Sequence, residues 1–350
     1  MQNLKWKYSK FLLNKNYKFN RNYVLKYLPS NLLVDSYKKI SKWKGYSPTP
    51  LLNLNKLNKI LKLNNIFYKD ESKRFHLKSF KALGGAYAVE KISKSKKKIT
   101  VSSATAGNHG RSVAWGAKRL KLGCKIFVSH NVSQTRINEI KKFDAQVIKV
   151  KGNYEDSLKE CQKLSKINNW NIVQDVSTKN YKYVPQLTMA GYSIMIKEIS
   201  KQTNQYITHI FIQAGVGGLA ASFASYCRKK LGYSPIIIIV EPDYAPCLQK
   251  SIVKGKPVVV KGQASDMGRL DCKYPSRHAF YSLSETANAF VSITETESTK
   301  GNQFLSKRGI HISQSSSAGF VALSKLIKRG DFLLDSETHA LCVFSEGDVK

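Results

Sequence analysis

Short β-rich runs alternate with helical patterns along most of this 350-residue chain. From about Lys97 onward, runs such as ITVSSAT (99–105) and CKIFVSH (124–130) are each followed by a helical pattern. A second series follows, in which HIFIQAG (209–215) and IIIIVEP (236–242) are the β-rich runs. Because parallel strands need a long crossover connection, this alternation predicts βαβ units and parallel sheets with helices on both faces.

The two series predict two α/β lobes, and the chain is long enough for each lobe to bury its own core. Open parallel sheets usually bind their ligands in a crevice at the carboxyl ends of the strands. No tandem repeat and no linker rich in glycine, serine or proline marks a boundary between the lobes. We therefore expect a ligand between two lobes whose limits the composition does not define.

The formal net charge of +35 makes nucleic acid and anionic membranes candidate partners. However, lysine is scattered along nearly every segment, and the densest cluster, Lys94 with Lys96 to Lys98, is short. This distribution favours a general drift of composition towards lysine over a binding surface, so we expect no nucleic-acid partner. No run of about eighteen apolar residues appears, which argues against a membrane-spanning helix. A positive field would still attract anionic substrates.

The six cysteines form no CxxC pair and no metal-ligand spacing, so we expect no metal site and a reducing, cytoplasmic location. Import into an organelle is the alternative, because no acidic residue precedes Asp35. The N-terminus nevertheless lacks the serine and arginine enrichment of a transit peptide and the apolar core of a signal peptide.

Three segments carry residues suited to chemistry, and each has a purely structural explanation when taken alone. In the first, a helix is expected to begin near Ser79, which places Lys81 in its first turn. The positive end of a helix helps to lower the pKa of a lysine towards a nucleophilic amine. A lysine at such a position is more often a surface charge.

The second segment, SSATAGNHGRSVAW (102–115), follows a strand and opens a helix. Its small residues let the backbone approach an anion, and Asn108 can hydrogen-bond a ring hydroxyl or carboxylate, or simply cap the helix. The third segment, QAGVGGLA (213–220), also joins a strand to a helix. Its glycines expose backbone N–H groups as a phosphate cradle, although it matches neither the P-loop nor the Rossmann spacing.

In this order, the three segments resemble the fold-type II pyridoxal-phosphate (PLP) enzymes, which include tryptophan synthase β, threonine synthase and threonine dehydratase. The resemblance sharpens to the diaminopropionate ammonia-lyase family and runs collinearly through almost the whole chain. The matching blocks are YSPTPL (46–51), KDESKRF (69–75), SFKALGGAYA (79–88), GNHGRSVAW (107–115), VQD (173–175), VPQLTMAGY (184–192), QAGVGG (213–218), VEPD (240–243) and SEGD (345–348).

The resemblance implies a two-lobed, tryptophan synthase β-like α/β fold with the cofactor in the cleft between the lobes. We expect a large PLP-binding domain formed by residues 1–92 and 185–350, and a small α/β domain formed by residues 93–184. By similarity, Lys81 carries the cofactor as a Schiff base and Asn108 contacts its O3′. The resemblance also implies that Ser345 lies near the pyridine nitrogen. The phosphate is expected to be bound by the backbone of Gly215, Val216, Gly217, Gly218 and Leu219.

The resemblance also implies β-elimination of ammonia from 2,3-diaminopropionate, giving pyruvate and ammonia, by a homodimer acting on a small amino acid. Asp175 matches the carboxylate that takes the α-proton, and a partly desolvated pocket can raise the pKa of such a base. On the residues alone, an aspartate at a strand end is more often a helix cap or turn former.

Three positions depart from the family pattern and leave the substrate open. The aspartate assigned to the proton of the D-isomer is replaced by Ala106, as in the S-A-G-N-H of serine and threonine dehydratases. A family glutamate becomes Ser315, and a family glycine becomes Arg269, which could bind a substrate carboxylate if it lined the pocket. The alternatives are therefore a serine, threonine or hydroxyaspartate dehydratase and, more distantly, a non-catalytic binding protein with a basic surface.

Overall fold

The structure is a computed structural model that describes residues 11–17, 26–93, 99–231, 235–330 and 334–347. The cluster of Lys94 with Lys96 to Lys98 lies outside these residues. The chain divides into two compact units. Unit 1 comprises Met1–Tyr27, Pro48–Ser72 and Met195–Lys350, and unit 2 comprises Leu28–Ser47 and Lys73–Ile194.

Unit 1 is built on a seven-stranded sheet with the order β1-β10-β9-β8-β11-β3-β2. Its strands are β1 (Phe11–Leu13), β2 (Leu51–Asn53), β3 (Asn65–Asp70), β8 (His209–Gln213), β9 (Ile236–Pro242), β10 (Ala289–Ile293) and β11 (His339–Phe344). The five central strands run parallel, whereas β1 and β2 pair antiparallel at the two edges. The predicted parallel arrangement is confirmed in the five central strands, and the two short edge strands lie outside the alternating βα series.

The helices of unit 1 follow the strands of its sheet. They are α2 (Asn55–Leu61), α8 (Gly218–Lys230), α9 (Cys247–Lys254), α10 (Arg277–Thr286), α11 (Glu295–Ser306) and α12 (Gln314–Arg329). Helices α11 and α12 pack together, with α12 against the central strands, and α8 packs against α10. A core of buried aliphatic and aromatic side chains, including Phe211, Leu323 and Phe344, joins α2, α11 and α12 to the sheet.

Unit 2 is built on a four-stranded parallel sheet with the order β6-β5-β4-β7. Its strands are β4 (Thr100–Ala104), β5 (Gly123–Ser129), β6 (Gln146–Val150) and β7 (Asn171–Ile172). Its helices are α1 (Ser30–Ile40), α3 (Lys81–Ser93), α4 (Asn108–Arg119), α5 (Gln134–Lys141) and α6 (Tyr154–Ile167). Helix α7 (Tyr183–Gln202) begins in unit 2 and ends in unit 1. The βα alternation predicted from Ile99 to Asp175 is confirmed, although the strand expected in NIVQD covers only two residues.

Small residues let three helices of unit 2 approach closely. A Cβ atom on Gly191 of α7 would lie 2.7 Å from the Cα atom of Gly84 in α3. On the next helix, a Cβ atom on Gly116 of α4 would lie 2.7 Å from the Cα atom of Ala86 in α3. Atoms this close would clash, so the small residues of KALGGAYA fix α3 between α4 and α7.

This packing places α3 and the start of α7 in unit 2, whereas the sequence-based domains divide the chain after residues 92 and 184. The proposed domain boundaries stay a prediction. No helix in the described parts of the chain is long and apolar enough to span a bilayer.

Candidate active site

Lys81 is the first residue of α3, two residues after the predicted helix start near Ser79, and α4 holds this turn in place. The Ser112 hydroxyl of α4 donates to the Lys81 carbonyl at 2.6 Å and accepts the backbone N–H of Ala86 at 3.1 Å. These bonds join two helices across buried positions, so the start of α3 has a defined geometry. The Lys81 side chain is thereby fixed at its base.

Asp175 lies next to Lys81 although 94 positions separate them in the sequence. The Lys81 Nζ atom forms a short ion pair with Asp175 Oδ2, and both side chains are mostly buried. The segment before Asp175 is held by Gln174, whose backbone N–H donates to the Tyr181 hydroxyl at 3.0 Å. The Gln174 side chain also bonds Ser103 and Ala104 at the end of β4. The predicted amine and the predicted base therefore share one site.

The charges around Asp175 keep it ionised. Burial alone would raise the pKa of the Asp175 carboxyl, but the positive charge that His109 carries when its ring is protonated and the positive charge of Lys81 hold the pKa below its usual value. His109 lies with its Nδ1 atom 3.8 Å from Asp175 Oδ2. Burial lowers the pKa of His109, which favours its neutral form.

Two aromatic rings flank the Lys81 ammonium. Its Nζ atom lies 5.5 Å from the ring centroid of Phe80 and 5.6 Å from that of Tyr192, and the two rings pack edge to face. Tyr192 is buried, and its hydroxyl has no hydrogen-bond partner within the described residues. Burial also raises the pKa of Tyr192, so its hydroxyl stays protonated. Aromatic rings at these distances favour a cation by their negative faces.

Asn108 is the first residue of α4 and is buried. Gly107, in an extended conformation, is the N-cap residue, so Asn108 does not act as the helix cap. The Asn108 Oδ1 atom accepts a bond from Arg111 Nη1 at 3.3 Å. Ala106, just before this turn, is partly buried and offers no acid or base.

The glycine-rich turn joins β8 to α8 in unit 1. Gly217 has φ +95°, and a Cβ atom there would lie 2.9 Å from the Cβ of Ala279 and 3.0 Å from Leu248. A Cβ atom on Gly215 would lie 2.9 Å from the sulfur of Cys272. No side chain caps the start of α8, so the N–H groups of its first turn remain available for an anion.

Ser345 follows β11 and meets Gln213, the last residue of the neighbouring strand β8. Gln213 Nε2 donates to Ser345 Oγ at 3.0 Å and to the Val343 carbonyl at 2.8 Å. Because Ser345 Oγ accepts a hydrogen from Gln213, its own hydrogen is available for another acceptor. The strand pairing thus brings Ser345 beside the strand that leads into the glycine-rich turn.

The other two departures from the family pattern lie together in unit 1. The Ser315 hydroxyl accepts the backbone N–H of Arg269 at 3.1 Å. Arg269 Nε pairs with Glu346 at 3.2 Å, and Glu346 also accepts a bond from Ser313 at 2.7 Å. The charge of Arg269 is therefore paired with a carboxylate of its own unit.

Lys81, Asn108 and Asp175 lie in unit 2, whereas the 215–219 turn and Ser345 lie in unit 1. Sequence reasoning did not single out His109, Tyr192 and Gln213, although each lies inside a matching block. His109 and Tyr192 stand out because they are buried in the folded protein, and a sequence motif does not show burial. No group of three or more potential metal ligands occurs among the described residues.

These residues fit PLP. A lysine amine suits its aldehyde, a turn closed to side chains at Gly215 and Gly217 suits its phosphate, and a hydroxyl with a free hydrogen suits an unprotonated ring nitrogen. The chain matches the family model of the pyridoxal-phosphate dependent enzymes over residues 42–345.

Known proteins match over most of the chain. It is 34% identical to a diaminopropionate ammonia-lyase of Escherichia coli over 286 residues, which cover 75% of this chain and 71% of that protein. It is 31% identical to the diaminopropionate ammonia-lyase of Salmonella typhimurium, in a match that covers 87% of this chain and 86% of that protein. The crystal structure of the Escherichia coli enzyme with an aminoacrylate–PLP azomethine reaction intermediate superposes with a TM-score of 0.88 at 29% identity, covering 97% of this chain and 93% of that one.

Proposed function

Because the chain belongs to the diaminopropionate ammonia-lyase family of pyridoxal-phosphate-dependent enzymes, we propose that it eliminates ammonia from L-2,3-diaminopropionate, giving pyruvate and a second ammonia. The observation that carries this proposal is the pairing of Lys81 with Asp175. An amine for the cofactor and a carboxylate base must lie together for an α-proton to be removed, and these two do.

PLP, when bound, withdraws electrons from the Cα–H bond of an amino acid attached to it. In the proposed site, Lys81 would hold the cofactor covalently, Asn108 would bind its ring hydroxyl, and the backbone of 215–219 would hold its phosphate. Ser345 would donate its free hydrogen to the ring nitrogen. A neutral hydroxyl does not keep that nitrogen protonated, which favours β-elimination over reactions that need a fully developed carbanion.

Asp175 takes the α-proton in this proposal. Its ionised state in the structure depends partly on the Lys81 ammonium, whose charge lowers the pKa of Asp175 while burial raises it. Loss of a proton from Lys81 would remove that charge and leave burial to raise the pKa. The carboxylate would therefore be a stronger base beside a neutral Lys81 amine.

The enzyme is proposed to act as a homodimer in the cytoplasm. The family resemblance supports the dimer. The described cysteines, which are all free, are consistent with a reducing compartment.

The purified protein, supplied with PLP, should release pyruvate from L-diaminopropionate, and the visible band of the bound cofactor should change on mixing. Lys81→Ala should lose both responses. Asp175→Asn, which keeps the size of the side chain, should keep the band but lose about 100-fold or more in kcat. Sedimentation of the same preparation reports the oligomeric state.

A wild-type spectrum that does not respond to the amino acid, with no pyruvate formed, would exclude the proposed reaction. Faster release of pyruvate from serine, or of 2-oxobutyrate from threonine, would favour a dehydratase, the function indicated by Ala106.

A further inference from the structure

His109 follows Asn108 in α4 and is 4% exposed. Its Nε2 atom lies 2.9 Å from the carbonyl oxygen of Val173. A carbonyl oxygen can only accept, so Nε2 must carry the hydrogen of this bond. The bond to Val173 therefore selects one tautomer, in which a neutral ring has no hydrogen on Nδ1.

The Nδ1 atom is a buried nitrogen with no hydrogen-bond partner within the described residues. It faces Asp175 Oδ2 at 3.8 Å, the same oxygen that pairs with Lys81. This distance exceeds that of a hydrogen bond, as expected when a lone pair on nitrogen faces an ionised carboxylate and neither group has a hydrogen to donate. The arrangement leaves an unmet acceptor beside the proposed base.

Protonation of Asp175 changes this relationship. A protonated carboxyl gains one O–H donor, and His109 Nδ1 faces it with an unmet lone pair. A movement of under about 1 Å would then form a normal hydrogen bond. The bond would exist only in the protonated state of Asp175 and so would stabilise that state.

We propose that His109 is a positioning residue that strengthens Asp175 as a base by accepting, at Nδ1, the hydrogen that Asp175 takes from the substrate. This inference rests on the proposed role of Asp175 in the elimination. The proton moves from the substrate Cα to Asp175 Oδ2 and is shared with His109 Nδ1, so no other reactant is needed. Val173 contributes by holding the ring in the accepting tautomer.

The other groups that face Asp175 do not provide the same function. Lys81, from α3, brings a cation that favours the ionised carboxylate. Tyr192 from α7 and Tyr181 have hydroxyls whose pKa values are raised by burial, so both remain protonated through the pH range in which a carboxyl titrates. A protonated hydroxyl can donate to the ionised carboxylate, whereas the neutral His109 ring can only accept at Nδ1 and so favours the protonated carboxyl.

Two variants separate the proposed role from a purely structural one. His109→Gln places a nitrogen donor near the position of Nε2 and keeps the bond to Val173, but it leaves no acceptor at the position of Nδ1. His109→Asn does the reverse, because its short amide reaches the position of Nδ1 and not Val173. We expect kcat to fall by about tenfold or more in His109→Gln, with KM little changed, and to fall less in His109→Asn.

The pH profile gives a second readout. Loss of the acceptor lowers the pKa of Asp175, so the acidic limb of kcat/KM should move to lower pH in His109→Gln while the plateau falls. If His109 had only a structural role, kcat would fall more in His109→Asn than in His109→Gln, and the acidic limb of kcat/KM would stay at the same pH. That result would overturn the proposal.

Nitrogen NMR of protein labelled at its seven histidines tests the tautomer without any turnover. The signals that disappear in His109→Gln should show a single hydrogen, on Nε2, at neutral pH. A hydrogen on Nδ1 at neutral pH would overturn the inference even if the enzyme were fully active. Failure of the elimination itself appears instead as absence of pyruvate from the wild-type protein, so the two failures are distinguishable.

Discussion

In the proposed mechanism, single residues decide which enantiomer reacts. Asp175 is the one base, and Ala106 stands where the sequence resemblance to the family implies a second carboxylate. We expect the wild-type protein to turn over the D-isomer of diaminopropionate at least about 100-fold more slowly than the L-isomer, because no group takes the opposite α-proton. Ala106→Asp should raise turnover of the D-isomer, as measured by pyruvate release from each enantiomer.

Ala106→Asn is the matched control, because it has the size of the aspartate but no basic oxygen. It should not raise turnover of the D-isomer. Equal rates on both enantiomers in the wild-type protein would show that another group supplies the second base.

The sequence identified site residues that family motifs mark by residue type. It did not identify residues whose importance depends on being buried in the folded protein. Lys81 and Asp175 were named from matching blocks, and the structure places them in contact. The same blocks contain His109 and Tyr192, but their relevance depends on a buried nitrogen and a buried hydroxyl with no partner. Only the packing of α3, α4 and α7 creates that environment, and no local spacing reports it.

At the scale of elements, the turn into α8 combines backbone conformation with packing. Gly217→Ala requires a side chain at φ +95°, which costs about 1–2 kcal/mol, and its Cβ atom would also meet Ala279 and Leu248. Relief of that contact must shift the N–H groups proposed to hold the phosphate. We expect a lower free energy of unfolding in urea and a PLP affinity weaker by about tenfold, equivalent to about 1.4 kcal/mol.

Gly309→Ala is the control for backbone strain, because Gly309 has φ +80° and no atom within 4 Å of an added Cβ. It should lower the free energy of unfolding and leave PLP affinity unchanged. An equal loss of affinity in both variants would mean that the 215–219 turn does not hold the phosphate.

The regular βα elements were predictable because each strand ends in a recognisable turn and each helix has its own apolar pattern. Helix α6, for example, begins with a capping box formed by Asn153 and Asp156. The edge strands β1 and β2 were not predicted, since three residues carry no periodic signal and their pairing depends on residues far along the chain. Long-range pairing of this kind is specified by the whole sheet.

At the scale of the whole molecule, the two units divide the chain at residues that the composition does not mark, because α3 joins unit 2 by helix packing.

The formal net charge of +35 comes from lysines and arginines distributed along the whole sequence. A charge spread over many exposed lysines acts through the field around the protein, and such a field changes rates of association with charged ligands.

The cofactor carries a phosphate, so the field should accelerate its binding. We expect the rate constant for PLP association with the apoenzyme, followed by absorbance after rapid mixing, to fall as salt is raised. The Debye length shrinks from about 30 Å at 0.01 M to about 3 Å at 1 M, which screens the attraction. Pyridoxal, which lacks the phosphate, should bind at a rate that depends little on salt. If both compounds showed the same salt dependence, salt would be acting on the apoenzyme itself, and the charge would have no role in capturing the cofactor.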